Sequence, residues 1–281
     1  MDREFPKISI VTPVYNNARF IESCILSVLD QGYPNLEYIV MDGGSDDGTA
    51  EIVKRYEQHL HHWESCPDRG QTHALNKGFA HATGDVRAWL NADEGYMPGA
   101  LLEVGAAFRD DPGLDFVYGG RIIVDSEGRE IGRRRWPPMH PRWHLLYRMT
   151  QLPTDASFWS ARGHRMTGEL DEERFPRLGM DADWLVRLSM HVRRWRRIPR
   201  YLSRFTERPD RATALGDSLD PGVLLQNDYL ARQRIVERYG ISRARLFWGW
   251  LLSGVWCRVC EGRLAFPHLL ASFRQMFFME T

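Results

Sequence analysis

Residues 36–49, LEYIVMDGGSDDGT, hold an apolar run of strand length, a cluster of Gly, Asp and Ser, and the start of a helical pattern. The same succession of an apolar run and a polar cluster occurs in KISIVTPVYNN at residues 7–17 and in VRAWLNADE at residues 86–94. Short apolar runs that end in turn residues are typical of buried strands. Because helical patterns separate the runs, we predict an α/β fold whose strands are joined by crossover helices.

The predicted elements of the first half of the chain alternate. We expect strands at residues 7–14, 36–41, 63–66 and 86–90, and helices at residues 18–30, 47–59 and 72–82. Such crossovers build a mainly parallel sheet with helices on both faces, and its ligands bind at the carboxyl ends of the strands. The polar clusters of this region all fall at those ends, at residues 12–16, 42–49 and 91–94.

Beyond residue 114 the pattern changes to shorter extended segments. Further strands are expected at residues 116–124, 130–136, 156–161 and 198–205, with a helix at residues 180–191. Residues 207–221 are polar and rich in turn residues, which predicts a mobile loop. Residues 221–281 read as a helical C-terminal extension, so we expect one α/β domain over residues 1–210 followed by that extension.

The 37 Lys and Arg residues balance the 37 Asp and Glu residues, but the two signs are unevenly distributed. Residues 1–120 hold 19 acidic and 9 basic side chains, whereas residues 121–281 hold 18 acidic and 28 basic ones. This dipolar arrangement indicates that the second half faces something anionic. Arginine clusters at residues 133–135 and 193–197 contribute to it, although such clusters are most often solvated faces.

The sequence shows no recognisable signal peptide or membrane-spanning segment. The apolar run at residues 246–257 is free of charge for 12 residues, whereas a bilayer span needs about 20. Flanked by arginines and aromatic residues, this tail is typical of an interfacial anchor, of a cap on the domain or of a dimer contact. Cys257 and Cys260 have metal or redox spacing but no second pair. We expect a cytoplasmic protein, peripheral on the inner face of the cell membrane if the tail is an anchor.

Asp93 and Glu94 are adjacent carboxylates that come shortly after a predicted strand. Neighbouring acids repel each other, so a folded protein that places them at a strand end usually binds a cation between them. Because carboxylates bind cations through oxygen, we expect this cation to be a hard metal ion. If that metal carries a nucleotide diphosphate, the protein is a sugar-transfer enzyme that also needs a nucleotide pocket and a base.

The cluster at residues 42–49 can supply part of a nucleotide pocket. Asp42, at a predicted strand end, can accept hydrogen bonds from a nucleoside, and the glycines after it allow close approach of the backbone. Ser45 or Asp46 can cap the helix that follows. Taken alone, such a cluster is most often only a turn and a helix cap, so its meaning depends on the segments around it.

Those segments stand in a specific order: TPVYN at residues 12–16, DGGSDDGT at 42–49, DRGQTHALNKG at 68–78, ATGD at 82–85 and WLNADE at 89–94. The order resembles family 2 glycosyltransferases, and the resemblance extends over residues 7–205. Members of that family are inverting enzymes that use nucleotide sugars. The resemblance implies the GT-A fold, a single doubly wound, mainly parallel mixed sheet with a nucleotide-sugar-binding half at residues 1–120 and an acceptor-binding half at residues 121–210.

The resemblance also implies the donor site. Tyr15 resembles the ring that stacks on the nucleoside base, and Asp42 the carboxylate that binds it, usually uracil or thymine. The segment around Asp68 resembles the one that closes over ribose and pyrophosphate, where Arg69 or Lys77 can add positive charge, unless Lys77 is only a solvated helix residue. The implied nucleotide contacts are Thr12, Pro13, Tyr15, Asp42, Ser45, Asp68, Gly70, Gln71, Asn76, Lys77, Asn91 and Asp93.

By the same resemblance, Asp93 and Glu94 are the ligands of Mn²⁺ or Mg²⁺. The family usually has Asp at the last position, and Glu94 reaches one methylene farther, so the metal position can differ. Asp181, in MDADW at residues 180–184, matches the catalytic base, with Asp183 as a second contact. The alternative is that both acids only stabilise the N-terminus of their helix. The acceptor-side candidates that stack on a sugar, or else belong to the core, are Phe158 and Trp159.

We therefore expect an inverting, metal-dependent glycosyltransferase that moves a sugar from a UDP- or dTDP-sugar to a hydroxyl of a glycan or of a polyprenyl-diphosphate-linked acceptor. Bacterial surface polysaccharide assembly is the setting that the family suggests. Further expected partners are an anionic membrane surface and a second copy through the C-terminal helices, but no nucleic acid. The alternatives are a catalytically degenerate glycan-binding or scaffolding relative and a sugar nucleotidyltransferase, although TPVYNNARF lacks the glycine- and base-rich triphosphate loop of the latter.

Overall fold

The computed structural model describes residues 4–138, 140–142, 152–175, 179–208 and 240. In this part of the chain nine strands form one mixed sheet. The strands are β1 (Ile8–Val14), β2 (Leu36–Asp42), β3 (His62–Ser65), β4 (Val86–Trp89), β5 (Glu94–Tyr96), β6 (Phe116–Val124), β7 (Glu130–Arg134), β8 (Ser157–Ser160) and β9 (Trp195–Thr206).

Helices connect most of these strands. Within the described ranges they are α1 (Ala18–Leu29), α2 (Thr49–Lys54), α3 (Gln71–His81), α4 (Ala100–Asp110), α5 (Ala161–Thr167) and α6 (Met180–Ser189). Two single 3₁₀ turns lie at Glu57–His59 and Thr154–Ala156. The helix predicted over residues 47–59 is thus divided, because α2 ends at Lys54 and a separate 3₁₀ turn follows it.

The sheet has the strand order β3-β2-β1-β4-β8-β6-β9-β5, and β7 pairs with β6. The strands β3, β2, β1 and β4 are parallel to their neighbours. In contrast, β8 runs antiparallel to both β4 and β6, and β9 is parallel to β6 but antiparallel to β5. The prediction of a single mixed sheet with a parallel first half is confirmed.

Alternate residues of β1 pack on opposite faces of the sheet. Ile8 and Ile10 belong to a core that includes Ile21 of α1 and Leu101 of α4. Val11 belongs to a second core that includes Leu75 of α3. A strand that is buried on both faces has no polar side, which explains why the sequence of β1 is almost continuously apolar. Helices cover both faces of the sheet, as predicted.

On the α3 side, three tryptophans bring α6 against the end of β4. The ring centroids of Trp159 and Trp184 are 4.8 Å apart, and those of Trp89 and Trp184 are 5.8 Å apart. All three side chains are almost completely buried. His164 lies beside this cluster, and its Nδ1 accepts a hydrogen bond from Trp159 Nε1 at 3.2 Å. That geometry requires a neutral His164.

Protonation of His164 is expected to destabilise the fold below neutral pH. Burial, reinforced by the positive charge of Arg87, lowers the pKa of His164 from 6.5 to about 3. The unfolded chain takes up this proton near pH 6.5 and the folded chain does not, so the free energy of unfolding should fall by about 1 kcal/mol per pH unit as the pH drops below about 6. Thermal unfolding between pH 7.5 and 4.5 measures the effect. The change in stability per pH unit should be smaller in His164→Gln than in wild type. It should be unchanged in His59→Gln, because His59 is exposed. Equal pH dependences in the two variants would contradict the assignment.

The sequence-based expectations omit α4, α5 and β5. β5 and α5 have three and seven residues, too short for a hydrophobic period to show. In α4, however, Leu101, Val104 and Phe108 stand at helical spacing, so that signal was present in the sequence.

Among the residues described above, no helix is both long and apolar enough to cross a bilayer. The predicted C-terminal helices at residues 221–281, the loop from residue 209 onward and the pair Cys257 and Cys260 lie outside the described residues.

Candidate functional site

The site lies where the order of the strands reverses. From β1 the chain proceeds to β2 and β3 on one side, and β4 then pairs with the opposite edge of β1. Such a reversal leaves a crevice at the carboxyl ends of the two central strands, here β1 and β4. Residues 12–16 and 91–94 border this crevice, next to residues 42–49 at the end of β2.

Hydrogen bonds tie the loop after β1 to the loop after β2. Asn16, whose φ is +46°, donates its backbone N–H to Ser45 Oγ at 2.8 Å. Asp47 accepts hydrogen bonds from the backbone N–H groups of Ala18 and Thr49, each at 3.0 Å. Burial favours the protonated form of Asp47, but these bonds outweigh it and hold its pKa below the usual value. The two loops therefore form one connected edge of the crevice.

The helix cap predicted within the second loop is wrong. α2 begins after Gly48, whose φ is +95°, and has no side-chain cap. Ser45 Oγ instead bonds to Asp42 and Asn16, and the backbone N–H of Asp46 bonds to the Asn16 side chain. These residues hold the edge of the crevice rather than the start of the helix.

Asp42, the last residue of β2, is only 2% exposed and is held in one orientation. Its Oδ2 accepts from the backbone N–H of Ser45 at 3.1 Å and from Ser65 Oγ at 2.5 Å. Its Oδ1 accepts from Ser45 Oγ at 2.5 Å. A carboxylate has about four acceptor sites. The contacts in the described chain fill three of them, and one site on Oδ1 is left for a ligand.

Two glycines let the loop after β3 approach Asp42. A Cβ on Gly43 would lie 2.9 Å from Asp68 Oδ2, and a Cβ on Gly44 would lie 2.9 Å from the backbone nitrogen of Pro67. Asp68 Oδ1 in turn accepts from the backbone N–H of Gly70 at 2.7 Å. Asp68 and Gly70 therefore stand beside the end of β2, as the donor-site prediction requires.

Gln71 joins this loop to the end of β4. Its Nε2 donates to Asn91 Oδ1 at 2.7 Å. Within the following turn, the backbone N–H of Asn91 donates to Glu94 Oε2 at 3.0 Å, and the backbone N–H of Glu94 donates to the Asn91 carbonyl at 2.9 Å. Glu94 is 3% exposed, with its carboxylate folded over its own turn. A chain of contacts thus runs from the loop after β1 to the two predicted metal ligands.

The end of β9 covers Asp93, a contact that the sequence did not predict. Asp93 Oδ2 accepts from Arg208 Nε at 3.2 Å, and the Asp93 carbonyl accepts from Thr206 Oγ1 at 2.5 Å. The antiparallel pairing of β5 with β9 sets this position, since it places Glu94 opposite Phe205. Residues 207–221 read as a loop in sequence, and a three-residue partner strand gives no pattern that would have revealed the pairing.

The predicted base-binding edge shows one exposed ring. Tyr15 is 65% exposed at the end of β1, where its ring can stack on a base. Thr12 is fully buried, and its hydroxyl lies 3.1 Å from the Tyr38 hydroxyl. Pro13 is also buried. The side chain of Thr12 therefore serves the core, and of these residues Tyr15 alone presents a side chain to the crevice.

Three polar side chains of the predicted donor site have partners within the fold. The Asn76 amide exchanges two hydrogen bonds with the backbone of Leu170, at 3.0 and 2.9 Å, and so anchors the segment before α6. Lys77 pairs with Glu64, which raises the pKa of Lys77. Arg69 pairs with Glu172. Each of the three groups therefore has a partner of opposite polarity or charge within the fold, and its contact with a diphosphate stays a prediction.

α6 carries the predicted base at its first turn. Asp181 is half-buried, and one of its carboxylate oxygens accepts from the backbone N–H of Ala182 at 2.8 Å. Trp184, three residues later, packs on Trp89, which lies two residues before Asn91. This packing brings the N-terminal turn of α6 toward the end of β4, across from the donor-side loops.

Asp183, Phe158 and Trp159 are structural. Asp183 Oδ2 pairs with Arg187 Nε at 2.8 Å, and that arginine also binds backbone carbonyls of the segment before α6. Phe158 and Trp159 are both 0% exposed, one in each of the two cores. Their rings have no face open to an acceptor sugar, so the core alternative holds for both.

Asp93 and Glu94 are the acids of this rim that can hold a divalent cation. The described chain contains no cluster of three or more His, Cys, Asp or Glu side chains that could hold a metal ion. A cation that arrives with a diphosphate needs only one or two carboxylates, since phosphate oxygens and waters complete its coordination. Arg208 beside Asp93 shows that this corner accommodates positive charge. The two acids fit such a cation.

Comparison with known sequences identifies the family. Residues 9–166 match the model of glycosyl transferase family 2. An uncharacterized glycosyltransferase of Nostoc sp. is 34% identical over 135 residues, covering 43% of this chain and 40% of that protein. The putative teichuronic acid biosynthesis glycosyltransferase TuaG of Bacillus subtilis is 31% identical over 131 residues, covering 46% and 52%. The O-antigen biosynthesis protein RfbC of Myxococcus xanthus is 33% identical over 146 residues, which cover 49% of this chain and 11% of RfbC. The chain thus spans about half or less of the length of these relatives.

Solved structures of similar fold include two that were determined in complex with nucleotide sugars. TarS 1–349 of S. aureus in complex with UDP-GlcNAc has a TM-score of 0.63 at 20% identity, covering 82% of this chain and 66% of that one. The mannosyltransferase PcManGT from Pyrobaculum calidifontis in complex with GDP-Man and Mn²⁺ has a TM-score of 0.59 at 18% identity, covering 99% and 82%. These likenesses confirm the predicted GT-A fold. Since the matched family model covers more than half of the sequence, the chain belongs to glycosyltransferase family 2.

Proposed function

We propose that the protein is an inverting, metal-dependent glycosyltransferase that uses a UDP- or dTDP-sugar and a hydroxyl acceptor on a glycan or a lipid-linked glycan. One observation carries the proposal. Around the strand reversal, a rim of close backbone approaches and hydrogen bonds extends from Asp42 past Asp68 and Gln71 to the acids Asp93 and Glu94. A nucleoside diphosphate sugar has a base, a ribose and a diphosphate in that order, and the rim offers a matching group for each.

The nucleoside would bind at the end of β2. Uracil and thymine each have one imide N–H, and Asp42 Oδ1 has one acceptor site left for it. Tyr15 supplies a ring for stacking from the neighbouring loop. Asp68, Gly70 and Gln71 lie between the base and the acids, on the ribose side. The complexes of TarS with UDP-GlcNAc and of PcManGT with GDP-Man support a nucleotide sugar as the donor class.

Asp93 and Glu94 would hold Mn²⁺ or Mg²⁺, which offsets the negative charge that develops on the departing diphosphate. The Mn²⁺ in the PcManGT complex supports a divalent cation. On the opposite side, Asp181 takes the proton of the acceptor hydroxyl while the oxygen of that hydroxyl bonds to the anomeric carbon of the donor sugar. The bond from that carbon to the nucleoside diphosphate breaks, and attack from the face opposite the leaving group inverts the configuration.

The acceptor setting follows from the relatives and from charge. TuaG and RfbC are named for teichuronic acid and O-antigen biosynthesis, which supports assembly of a surface polysaccharide. Arg135 and Arg196 are exposed in the acceptor half, where arginines outnumber acids. An anionic lipid surface, or the diphosphate of a lipid-linked acceptor, is complementary to that charge.

Nucleotide binding tests the proposed function directly. UDP or dTDP with Mn²⁺ is expected to raise the melting temperature by mass action, and GDP should do so less. In Asp42→Asn the amide nitrogen can replace Oδ1 and donate to Ser45 Oγ, which reverses the direction of the present hydrogen bond but keeps the contact, so the loop should fold. The acceptor for the base is lost, however, and the affinity should fall about tenfold or more. The exposed Asp46 in the same loop gives the control, Asp46→Asn, which should bind like wild type. Absence of binding for every UDP and dTDP compound would refute the donor assignment.

A further inference from the structure

Arg208 and Asp93 form an ion pair that is almost completely buried at the metal corner. Their side chains are 16% and 6% exposed. The Arg208 guanidinium also stacks over the ring of Phe20 in α1, with its carbon 4.9 Å from the ring centroid. A guanidinium that is bonded and stacked in this way has few alternative positions. It is therefore a built part of the corner rather than a solvated surface charge.

The backbone of β9 fixes where Arg208 stands. Thr206, the last residue of β9, donates its hydroxyl to the Asp93 carbonyl, and Phe205 lies opposite Glu94 in the β5–β9 pairing. Arg208 follows two residues later and reaches back over the same turn. The end of β9 thus brings one fixed positive charge to the carboxylate that the proposed function assigns to the metal.

From this contact we propose that Arg208 is the resident counter-ion of Asp93 in the donor-free protein and that a divalent cation must displace it from Asp93. The inference rests on the proposed function, because that proposal makes Asp93 a metal ligand. Arg208 thereby becomes a residue that sets metal affinity. Because it occupies Asp93, Arg208 weakens binding of a free divalent cation. Only a cation that arrives with a donor diphosphate then binds tightly.

The physical reason is competition for one oxygen in a corner that is poorly exposed to solvent. A guanidinium and a divalent cation both bind Asp93 Oδ2, and two positive charges at one poorly solvated oxygen repel each other. The free cation gains only the two acids in exchange for the guanidinium contact. A cation that carries a diphosphate gains phosphate oxygens as well, so the displacement is compensated. A bound donor should therefore raise the metal affinity by a larger factor than it would at two adjacent acids without Arg208.

The test measures Mn²⁺ binding to the full chain without any nucleotide, by the electron paramagnetic resonance signal of free Mn²⁺ at pH 7.5. Arg208→Gln removes the competing charge from the buried Asp93 carboxylate. Its dissociation constant for Mn²⁺ should be about tenfold lower than that of wild type, or lower still, as expected for loss of a charge-assisted hydrogen bond. Arg200→Gln is the matched control, since Arg200 lies on β9, shortly before Arg208 in the chain, but pairs with Glu103 on the surface. It should bind Mn²⁺ like wild type.

An unchanged or weaker Mn²⁺ affinity in Arg208→Gln would overturn the proposal. Adding Asp93→Asn to Arg208→Gln should abolish the gain, and a gain that survives would also overturn it. If Arg208→Gln does not give a cooperative melt, Arg208→Lys replaces it. Lysine keeps the charge but loses the planar stacking on Phe20, so the Mn²⁺ affinity of Arg208→Lys should be higher than that of wild type, and a value equal to wild type counts against the proposal. The titration needs no donor, so its failure is distinct from failure of the nucleotide-binding test.

Discussion

Replacing Asp181 with Asn is expected to lower the turnover of sugar transfer by about 10²–10⁴-fold, the usual contribution of a general base. Asparagine has the same size, and its side-chain oxygen can still accept from the backbone N–H of Ala182, as Asp181 does at 2.8 Å. It cannot take a proton from an acceptor hydroxyl. In the proposed arrangement the donor binds across the crevice from Asp181, so the affinity for the nucleotide sugar should change little. Steady-state kinetics with a donor identified by the binding screen separates the two effects.

The competing explanation for Asp181 is a purely structural role at the N-terminus of α6. In that case Asp181→Asn would cost about 1 kcal/mol or less of stability and leave turnover intact. Asp171→Asn serves as the control, because Asp171 precedes the same helix and pairs with Arg174 on the surface. Full turnover in Asp181→Asn at a slightly lower melting temperature would identify Asp181 as a helix-stabilising acid, and another group would have to act as the base.

Replacing Glu94 with Gln is expected to lower metal-dependent transfer by about 10²–10³-fold, as for other losses of preorganised charge stabilisation. Glu94 Oε2 accepts from the backbone N–H of Asn91 at 3.0 Å, and a glutamine oxygen can do the same. The 91–94 turn should therefore keep its shape while one negative charge is lost. The loss should appear as a higher Mn²⁺ concentration for half-maximal activity and as a lower turnover at saturation.

The control for Glu94 is Glu103→Gln, an exposed acid of α4 that pairs with Arg200. It should show the Mn²⁺ dependence of wild type. Glu94→Asp restores the residue that the family usually carries at this place, and its shorter reach should shift the Mn²⁺ dependence without abolishing transfer. An unaltered Mn²⁺ dependence in Glu94→Gln would show that Glu94 is not a ligand of the metal.

Much of the fold could be predicted because its signals are local. β1, β2 and β4 are short apolar runs that end in turn residues, and their hydrophobic pattern shows directly in the sequence. The polar clusters at the strand ends follow, since parallel strands present their carboxyl ends at one edge. β5 and α5 were not predicted, because three and seven residues carry too little periodicity.

The site residues also divide into those whose position the sequence could predict and those whose position it could not. Short loops after consecutive strands bring four predicted residues together on the rim. They are Asp42, Asp68, Gln71 and Asn91. Asn76 and Lys77 belong to the same sequence motif but bind Leu170 and Glu64. A motif specifies which residue types follow one another. It does not specify which neighbour each side chain finds on the surface of a helix.

The sequence by itself determined the family, the alternating first half and the acids of the rim, since each is encoded within a few tens of residues. Only the tertiary structure decided which side chains satisfy one another. Asp93 and Arg208 are 115 positions apart in the chain, and their pairing depends on β9 returning beside β5. Phe158 and Trp159 are buried because helices cover both faces of β8, which no local pattern of four residues could show. Long-range packing and desolvation set these partners, and neither can be read from local sequence.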